Sequence, residues 1–329
     1  MSEPANAAVI GVGSMGRHHA RVYSELPDVD LVGVVDADEE TATAVARDHG
    51  TRTMAMDRAL EVADVASIAV PTEYHYPVAN DCIDHDVDVL IEKPFVDTAS
   101  RGRELLSNAR SAGVTVQVGH IERFNPAVRT LGEIVADLDV IAIEAQRLGP
   151  PPEGRAVDDS AVMDLMIHDI DVLLSLVDDD VTTVAAQGAR DNRYASASVA
   201  FDSGVVANLT ASRVTQEKVR RLSITAANCR VNVDYTDQTV EIHRHSMPEY
   251  IDDNGDLRYR HESIVERPTV ENGEPLKNEL RSFVRAATSD ATPVVTGEDG
   301  LRVLELARRI DELAADEQRA AAETEVRPR

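Results

Sequence analysis

The sequence predicts an α/β protein in two parts: an N-terminal, doubly wound parallel sheet and a C-terminal α+β domain with a large, mostly antiparallel open sheet. Three observations predict it. Short apolar runs alternate with helical stripes from Ala7 to Val118, which is the pattern of strands and crossover helices. A glycine turn, Gly11-Val12-Gly13-Ser14-Met15-Gly16, joins the first run to the first stripe. From Val181 to Val270 the long helical stripes stop, and β-rich segments bounded by Asp, Asn and Gly replace them. A chain of 329 residues has room for two cores. The expected division is 1–121 for the parallel domain and 122–299 for the α+β domain, with 300–329 as a helix that packs back and a disordered tail.

Strand Ala7–Ile10 opens the chain, and Met15, His19, Val22 and Leu26 recur at helical spacing after the glycine turn. A second strand, Leu31–Val35, ends at Asp36. The helix after it is capped by Asp38, carries Glu39 and Glu40 in its first turn and stops at Gly50. Strands Val65–Val70, Val87–Ile91 and Val114–Val118 follow, with a helix to Ala112 before the last. Parallel strands of this kind are covered on both faces. Beyond Gly119, Asn125 caps a helix with Pro126 at its first position, and a strand runs from Val140 to Arg147. A proline-stiffened loop, Gly149–Arg155, leads to a helix capped by Ser160. The segments 204–214, 221–227, 230–235 and 239–245 are strands, and helices at 276–288 and 300–320 close the chain.

Composition excludes several classes. There are 33 basic and 59 acidic residues, a net charge of −26, so a nucleic-acid partner would be repelled. Only Lys93, Lys218 and Lys277 are lysines, aromatic residues are 3% and tryptophan is absent, a balance suited to a salt-saturated cytoplasm where self-repulsion is screened. Cys82 and Cys229 fit no metal spacing and are expected as reduced thiols in the cytoplasm. No apolar run reaches the length of a membrane span. His243 and His245 share a strand face, but no further ligands accompany them, and no metal is expected.

The glycine turn has the context of a dinucleotide fingerprint: strand before, helix after, and an acid, Asp36, 20 residues past Gly16. Gly11 permits the tight turn, Gly13 lets the backbone approach a pyrophosphate, and Gly16 lets helix and strand pack. Ser14 and Met15 lie at the helix start, where amides and the dipole favour an anion. Asp36 would accept from ribose hydroxyls and repel a 2′-phosphate, which predicts NAD rather than NADP. On the helix after Ser160, Asp164 and His168 stand four apart, one turn along a single face. An imidazole can take the proton an alcohol must lose as it gives up hydride, and a carboxylate beside it favours the imidazolium. Asp171, one turn on, offers His168 the same partnership. Lys93 lies in Glu92-Lys93-Pro94 at the carboxyl end of a strand, where open sheets bind ligands, and could stabilise a developing alkoxide.

These motifs together resemble the glucose-fructose oxidoreductase and inositol dehydrogenase family, Gfo/Idh/MocA. The resemblance extends to Pro71-Thr72-Glu73-Tyr74-His75 and to Glu274-Pro275-Leu276, and covers nearly the whole chain. It implies Lys93, Asp164 and His168 as the catalytic set acting on a sugar or polyol hydroxyl. It also implies Pro71, Thr72, His75 and Glu92 beside the nicotinamide half of the cofactor, a cis peptide before Pro94, and a homodimer or homotetramer through the open sheet. Residues 119–126, with Arg123 and Asn125, and Arg147-Leu148-Gly149-Pro150 are similar to the branch that oxidises the 3-hydroxyl of UDP-N-acetylglucosamine or its uronic acid. On that reading Arg147 and Arg155 clamp a diphosphate. Two rivals are a free-sugar or inositol dehydrogenase and a non-catalytic NAD-sensing scaffold; the joint presence of Lys93, Asp164 and His168 counts against the scaffold.

Overall fold

The computed structural model describes residues 3–151, 159–245, 249–253, 256–260, 262–289 and 291–325. In chain order, β1 (Ala5–Ile10), α1 (Gly16–Glu25), β2 (Val29–Val35), α2 (Glu39–Asp48), α3 (Met56–Leu60), β3 (Val65–Ile68), α4 (His75–Ile83), β4 (Asp88–Glu92), α5 (Ala99–Ala112) and β5 (Val116–Gly119) come first. Next are α6 (Pro126–Val135), β6 (Val140–Leu148), α7 (Ile167–Leu176), β7 (Val181–Ala189), β8 (Tyr194–Phe201), β9 (Val206–Ser212) and β10 (Val219–Ala226). They are followed by β11 (Arg230–Asp234), β12 (Thr239–His245), β13 (Glu249–Asp253), β14 (Asp256–Arg260) and β15 (Ser263–Glu266). Helices α8 (Pro275–Ala287) and α9 (Gly297–Glu325) end the described chain.

Two compact units result: Met1–Phe124 with Gly273–Leu306, and Asn125–Asn272 with Ala307–Arg329. This differs from the sequence division, which left residues 273–299 in the second domain. The reason is packing. Leu276, Leu280, Phe283 and Val284 of α8 join Val12, Ala20, Val22 and Tyr23 in one buried cluster. The Val118 amide also donates to the Val295 carbonyl at 3.2 Å, tying the segment before α9 to β5.

The first unit is a parallel sheet in the order β2-β1-β3-β4-β5. The chain moves to one side of β1 to make β2 and to the other to make β3, so the order reverses between β1 and β3. A crevice at the carboxyl ends of those strands follows from that topology. Asp38 and Thr98 cap α2 and α5 by accepting from the amides of Glu40 and Arg101.

The second unit is an eight-stranded sheet, β15-β12-β11-β10-β6-β9-β8-β7, antiparallel except for the β6/β9 pair. Alternation sorts its faces. Ile143, Ala145 and Arg147 of β6, Ala207, Leu209 and Ala211 of β9, and Leu222 and Ile224 of β10 are buried. On the other face Tyr194, Ser198, Val206 and Asn208 of β8 and β9 are exposed. Ser160 caps the helix leading to α7, accepting from the Met163 amide at 3.1 Å. That helix begins with a wide, i to i+5 turn over Val162–Met166 before it becomes regular. The wide turn bears on what is buried: Met163 and Ile167 enter the core, whereas Leu165 is only half-buried. Among the described residues, no helix is long and apolar enough to cross a membrane.

Candidate functional site

The expected cofactor residues line the carboxyl edge of the five-stranded sheet. Gly11 holds φ +84°, and a Cβ there would meet the Val70 amide at 2.7 Å; at Gly16 it would sit 1.8 Å from the Gly11 carbonyl oxygen. Both positions require glycine for their own backbone. Gly13 differs, since a Cβ there would meet nothing within 4 Å. Gly13 and Ser14 are exposed, Met15 is half-buried, and α1 starts at Gly16. An exposed, unobstructed turn in front of a helix N-terminus fits a pyrophosphate. At the end of β2, Asp36 accepts from the Val12 amide at 2.7 Å and from the Asp38 amide at 2.9 Å. A carboxylate has about four acceptor sites, so the oriented Asp36 retains capacity for the ribose hydroxyls of a dinucleotide.

Pro71 is exposed and Thr72 half-buried, in the short turn that leads from β3 to α4. His75 is buried, with Nε2 2.9 Å from the Val70 carbonyl oxygen and Nδ1 2.9 Å from that of Pro94. It braces the loop after β3 against the turn after β4. Burial pushes its pKa down against the effect of those carbonyls. The Lys93-Pro94 peptide is cis, as the resemblance implied. Glu92 is buried at the end of β4, where its Oε1 lies 2.9 Å from His19 Nε2 on α1 and its Oε2 accepts from the Lys93 amide. Burial works to raise the Glu92 carboxyl, but the His19 contact and the Lys93 charge outweigh it and hold it below the ordinary range. Lys93 itself is half-buried at the strand end.

In the second unit, Asp164 and His168 are both half-buried and fall on either side of the end of the wide turn. Arg213, which directly follows β9, donates to Asp164 Oδ2 at 2.5 Å and to the Asp159 carbonyl. Arg213 is 6% exposed, whereas the Asp164 side chain is 34% exposed, so the pair is buried on its guanidinium side and open on its carboxylate side. Asp171 is buried on α7.

Two expected substrate contacts need correction. Arg147 does not face a ligand from the loop after β6. It is 5% exposed, donates through Nε and a terminal nitrogen to both oxygens of Asp169 at 2.8 and 2.9 Å, and stacks 5.3 Å from the Tyr235 ring centroid. The period of β6 explains this, since Arg147 is in phase with the buried Ile143 and Ala145. Asn125 is likewise buried in capping α6: its Oδ1 accepts from the Ala127 amide at 3.1 Å, and its Nδ2 donates to the Tyr235 carbonyl. Arg123 is half-buried and donates to the Val294 carbonyl at 3.1 Å. Arg155 lies outside the described residues. Among the described residues, no group of three or more His, Cys, Asp or Glu side chains could hold a metal ion.

Comparison with known proteins now separates fold from family. A sequence profile described as an oxidoreductase family with an NAD-binding Rossmann fold matches residues 5–120, and the Gfo/Idh/MocA C-terminal domain profile matches residues 139–240. The chain is also 32% identical to UDP-N-acetylglucosamine 3-dehydrogenase of Acidithiobacillus ferrooxidans, over 92% of its own length and 95% of the relative's. The chain belongs to the Gfo/Idh/MocA oxidoreductase family. It is 25% identical to scyllo-inositol 2-dehydrogenase (NAD(+)) of Bacillus subtilis, over 93% of each chain. The solved structure of the Acidithiobacillus enzyme superposes with a TM-score of 0.85 at 30% identity, covering 96% of this chain and 99% of that one.

Membership makes this an NAD-dependent dehydrogenase. The edge described above fits that cofactor: Gly11, Gly13, Ser14, Met15 and Gly16 would hold the pyrophosphate, and Asp36 the ribose.

Sequence reasoning missed two groups. Arg213 carried no motif, and only the β9 geometry brings it to Asp164. His120, quoted within a motif but given no role, is 1% exposed at the end of β5.

Proposed function

We propose that this Gfo/Idh/MocA enzyme oxidises a secondary hydroxyl of a nucleotide-linked sugar, the 3-hydroxyl of a UDP-N-acetylhexosamine or its uronic acid. The observation that carries this is the 32% identity to the UDP-N-acetylglucosamine enzyme across both units. NAD, when bound, supplies the hydride acceptor. The remaining work is assigned to this chain's side chains. His168 takes the hydroxyl proton at its ring; Asp164, oriented by Arg213, favours the imidazolium so formed; and Lys93 donates to the reacting oxygen and stabilises its charge. Pro71, Thr72, His75 and Glu92 shape the nicotinamide side, His75 and Glu92 by bracing the loops after β3 and β4. Arg147 supports the reading indirectly, because its fork on Asp169 anchors the residue next to His168.

The 25% identity to an inositol dehydrogenase supports a second reading, a free cyclitol or sugar as substrate. A panel of UDP-sugars, free inositols and aldoses, assayed for NAD reduction in molar KCl, separates the two. Turnover of inositol or aldoses without turnover of any UDP-sugar sinks the first reading. His168→Ala should lower kcat by at least about 100-fold, and a loss of only a few fold would move the base elsewhere. The open outer face of β8 and β9, uncharged at Tyr194, Ser198, Val206 and Asn208 in a chain of net charge −26, supports assembly as a homodimer or homotetramer. The acidic, lysine-poor composition supports a cytoplasm of high salt as its setting.

A further inference from the structure

One buried imidazole is accounted for by no contact. Glu92 and Gly119 are register partners at the ends of β4 and β5, so Lys93 and His120 leave the sheet as neighbours. His120 is 1% exposed. Its backbone amide donates to the Val118 carbonyl at 2.8 Å, yet neither Nδ1 nor Nε2 has a hydrogen-bond partner. Removing a polar ring from water without replacing its hydrogen bonds is costly, and native structures rarely tolerate it without a reason. Burial, reinforced by the charges of Arg123 and Lys93, pushes the His120 pKa down to about 3. The ring is therefore neutral at working pH and offers one N–H donor and one bare nitrogen acceptor.

That pair of functions selects the ligand. A phosphate or carboxylate would use only the donor and never the bare nitrogen, and a third cation beside Lys93 and Arg123 would be repelled. An alcohol both donates and accepts, and so can use either nitrogen. We propose that His120 is a specificity-determining residue that binds a substrate hydroxyl neighbouring the one oxidised. The inference rests on the sugar-dehydrogenase reading above, in which Lys93 serves the reacting hydroxyl.

The test compares wild type with His120→Leu, which removes both polar atoms, and His120→Asn, which keeps one donor and one acceptor, all in molar KCl. Without substrate, His120→Leu should melt at or above the wild-type temperature, because it removes an unsatisfied group. A Tm several degrees lower in both variants makes the ring structural and overturns the proposal. NADH affinity from fluorescence titration should be unchanged, and a loss of about 10-fold or more would reassign the ring to the cofactor. With UDP-N-acetylglucosamine, or with scyllo-inositol if only that is oxidised, KM should rise at least about 10-fold in His120→Leu. His120→Asn should recover part of the loss, with the pH profile of kcat unmoved. An active wild type whose KM is unaffected by Leu refutes the role of His120 and leaves the dehydrogenase reading intact. A wild type inactive on both compounds refutes that reading instead, while melting and NADH binding still decide whether the ring belongs to the fold or to the cofactor.

Discussion

Asp36 in the first unit and Asp164 and Asp169 in the second are held by opposite means, while Glu92 in the first takes a partner of each kind, the His19 ring and the Lys93 amide. Along the parallel sheet, backbone does the holding: the amides of Val12 and Asp38 fix Asp36, and the turn is shaped by glycines whose neighbours are main-chain atoms. In the antiparallel unit long side chains do it, with Arg147 forked on Asp169 and Arg213 reaching Asp164 from the end of β9. The Asp38 amide lies two residues from Asp36, but the Val12 amide lies 24 away, so the backbone device also needs the paired strands. The arginine contacts join positions 22 and 49 apart, and only the completed sheet brings them together.

Gly16→Ala attacks the backbone device most directly, because the added Cβ falls 1.8 Å from the Gly11 carbonyl oxygen. The turn cannot close around it, and NADH affinity by fluorescence titration should drop beyond about 100-fold. Retained binding would mean that the turn is not held by this contact. In the other unit, Arg147→Met deletes both fork hydrogen bonds to a buried carboxylate, for an expected loss of about 3–5 kcal/mol by urea unfolding in molar KCl. A loss below about 1 kcal/mol would place the fork among exposed ion pairs.

Gly13→Ala sharpens the contrast within one turn. Its Cβ meets nothing within 4 Å, so Tm should hold while NADH affinity falls about 10-fold. A matching fall in Tm would show that the space serves the fold rather than a ligand.

The smallest effect is in pH. His120 is pushed down to about 3 from the ordinary 6.5, so between those values the unfolded chain binds the extra proton, and stability declines as pH falls below about 6.5. Urea unfolding from pH 7 to 5 should show that decline shallower by up to one proton in His120→Leu. Glu92, held below its ordinary value, contributes stability that is present above the unfolded carboxyl range and lost as pH falls through its folded value.

This contrast also explains what could be read in advance. The strands and helices of the first unit follow from local pattern, and so do the caps Asp38, Asn125 and Ser160 and the role of Gly16, because each acts on atoms within five residues; Gly11, which packs on Val70, follows from its place in the fingerprint. Arg147 was readable in principle from its phase with Ile143 and Ala145. A motif suggested a ligand-facing arginine instead, and the alternation of the strand decides against it. Arg213 and the unsatisfied ring of His120 were not readable, since partnership, or its absence, is a property of the packed chain. The place of α8 was hidden for a similar reason: its apolar face matches any core, and only the cluster around Tyr23 shows which one it fills.

The wide coil between Val162 and Met166 makes residue count a functional quantity. A regular helix advances by about 100° per residue, so deleting a single residue there would let the coil revert to ordinary pitch and swing Asp164 through about that angle, away from the guanidinium of Arg213. The composition would scarcely change, and a tally of matching amino acids would score the shortened chain as almost identical. Its carboxylate would nonetheless have lost its address, which makes length at this point as strict a requirement as identity.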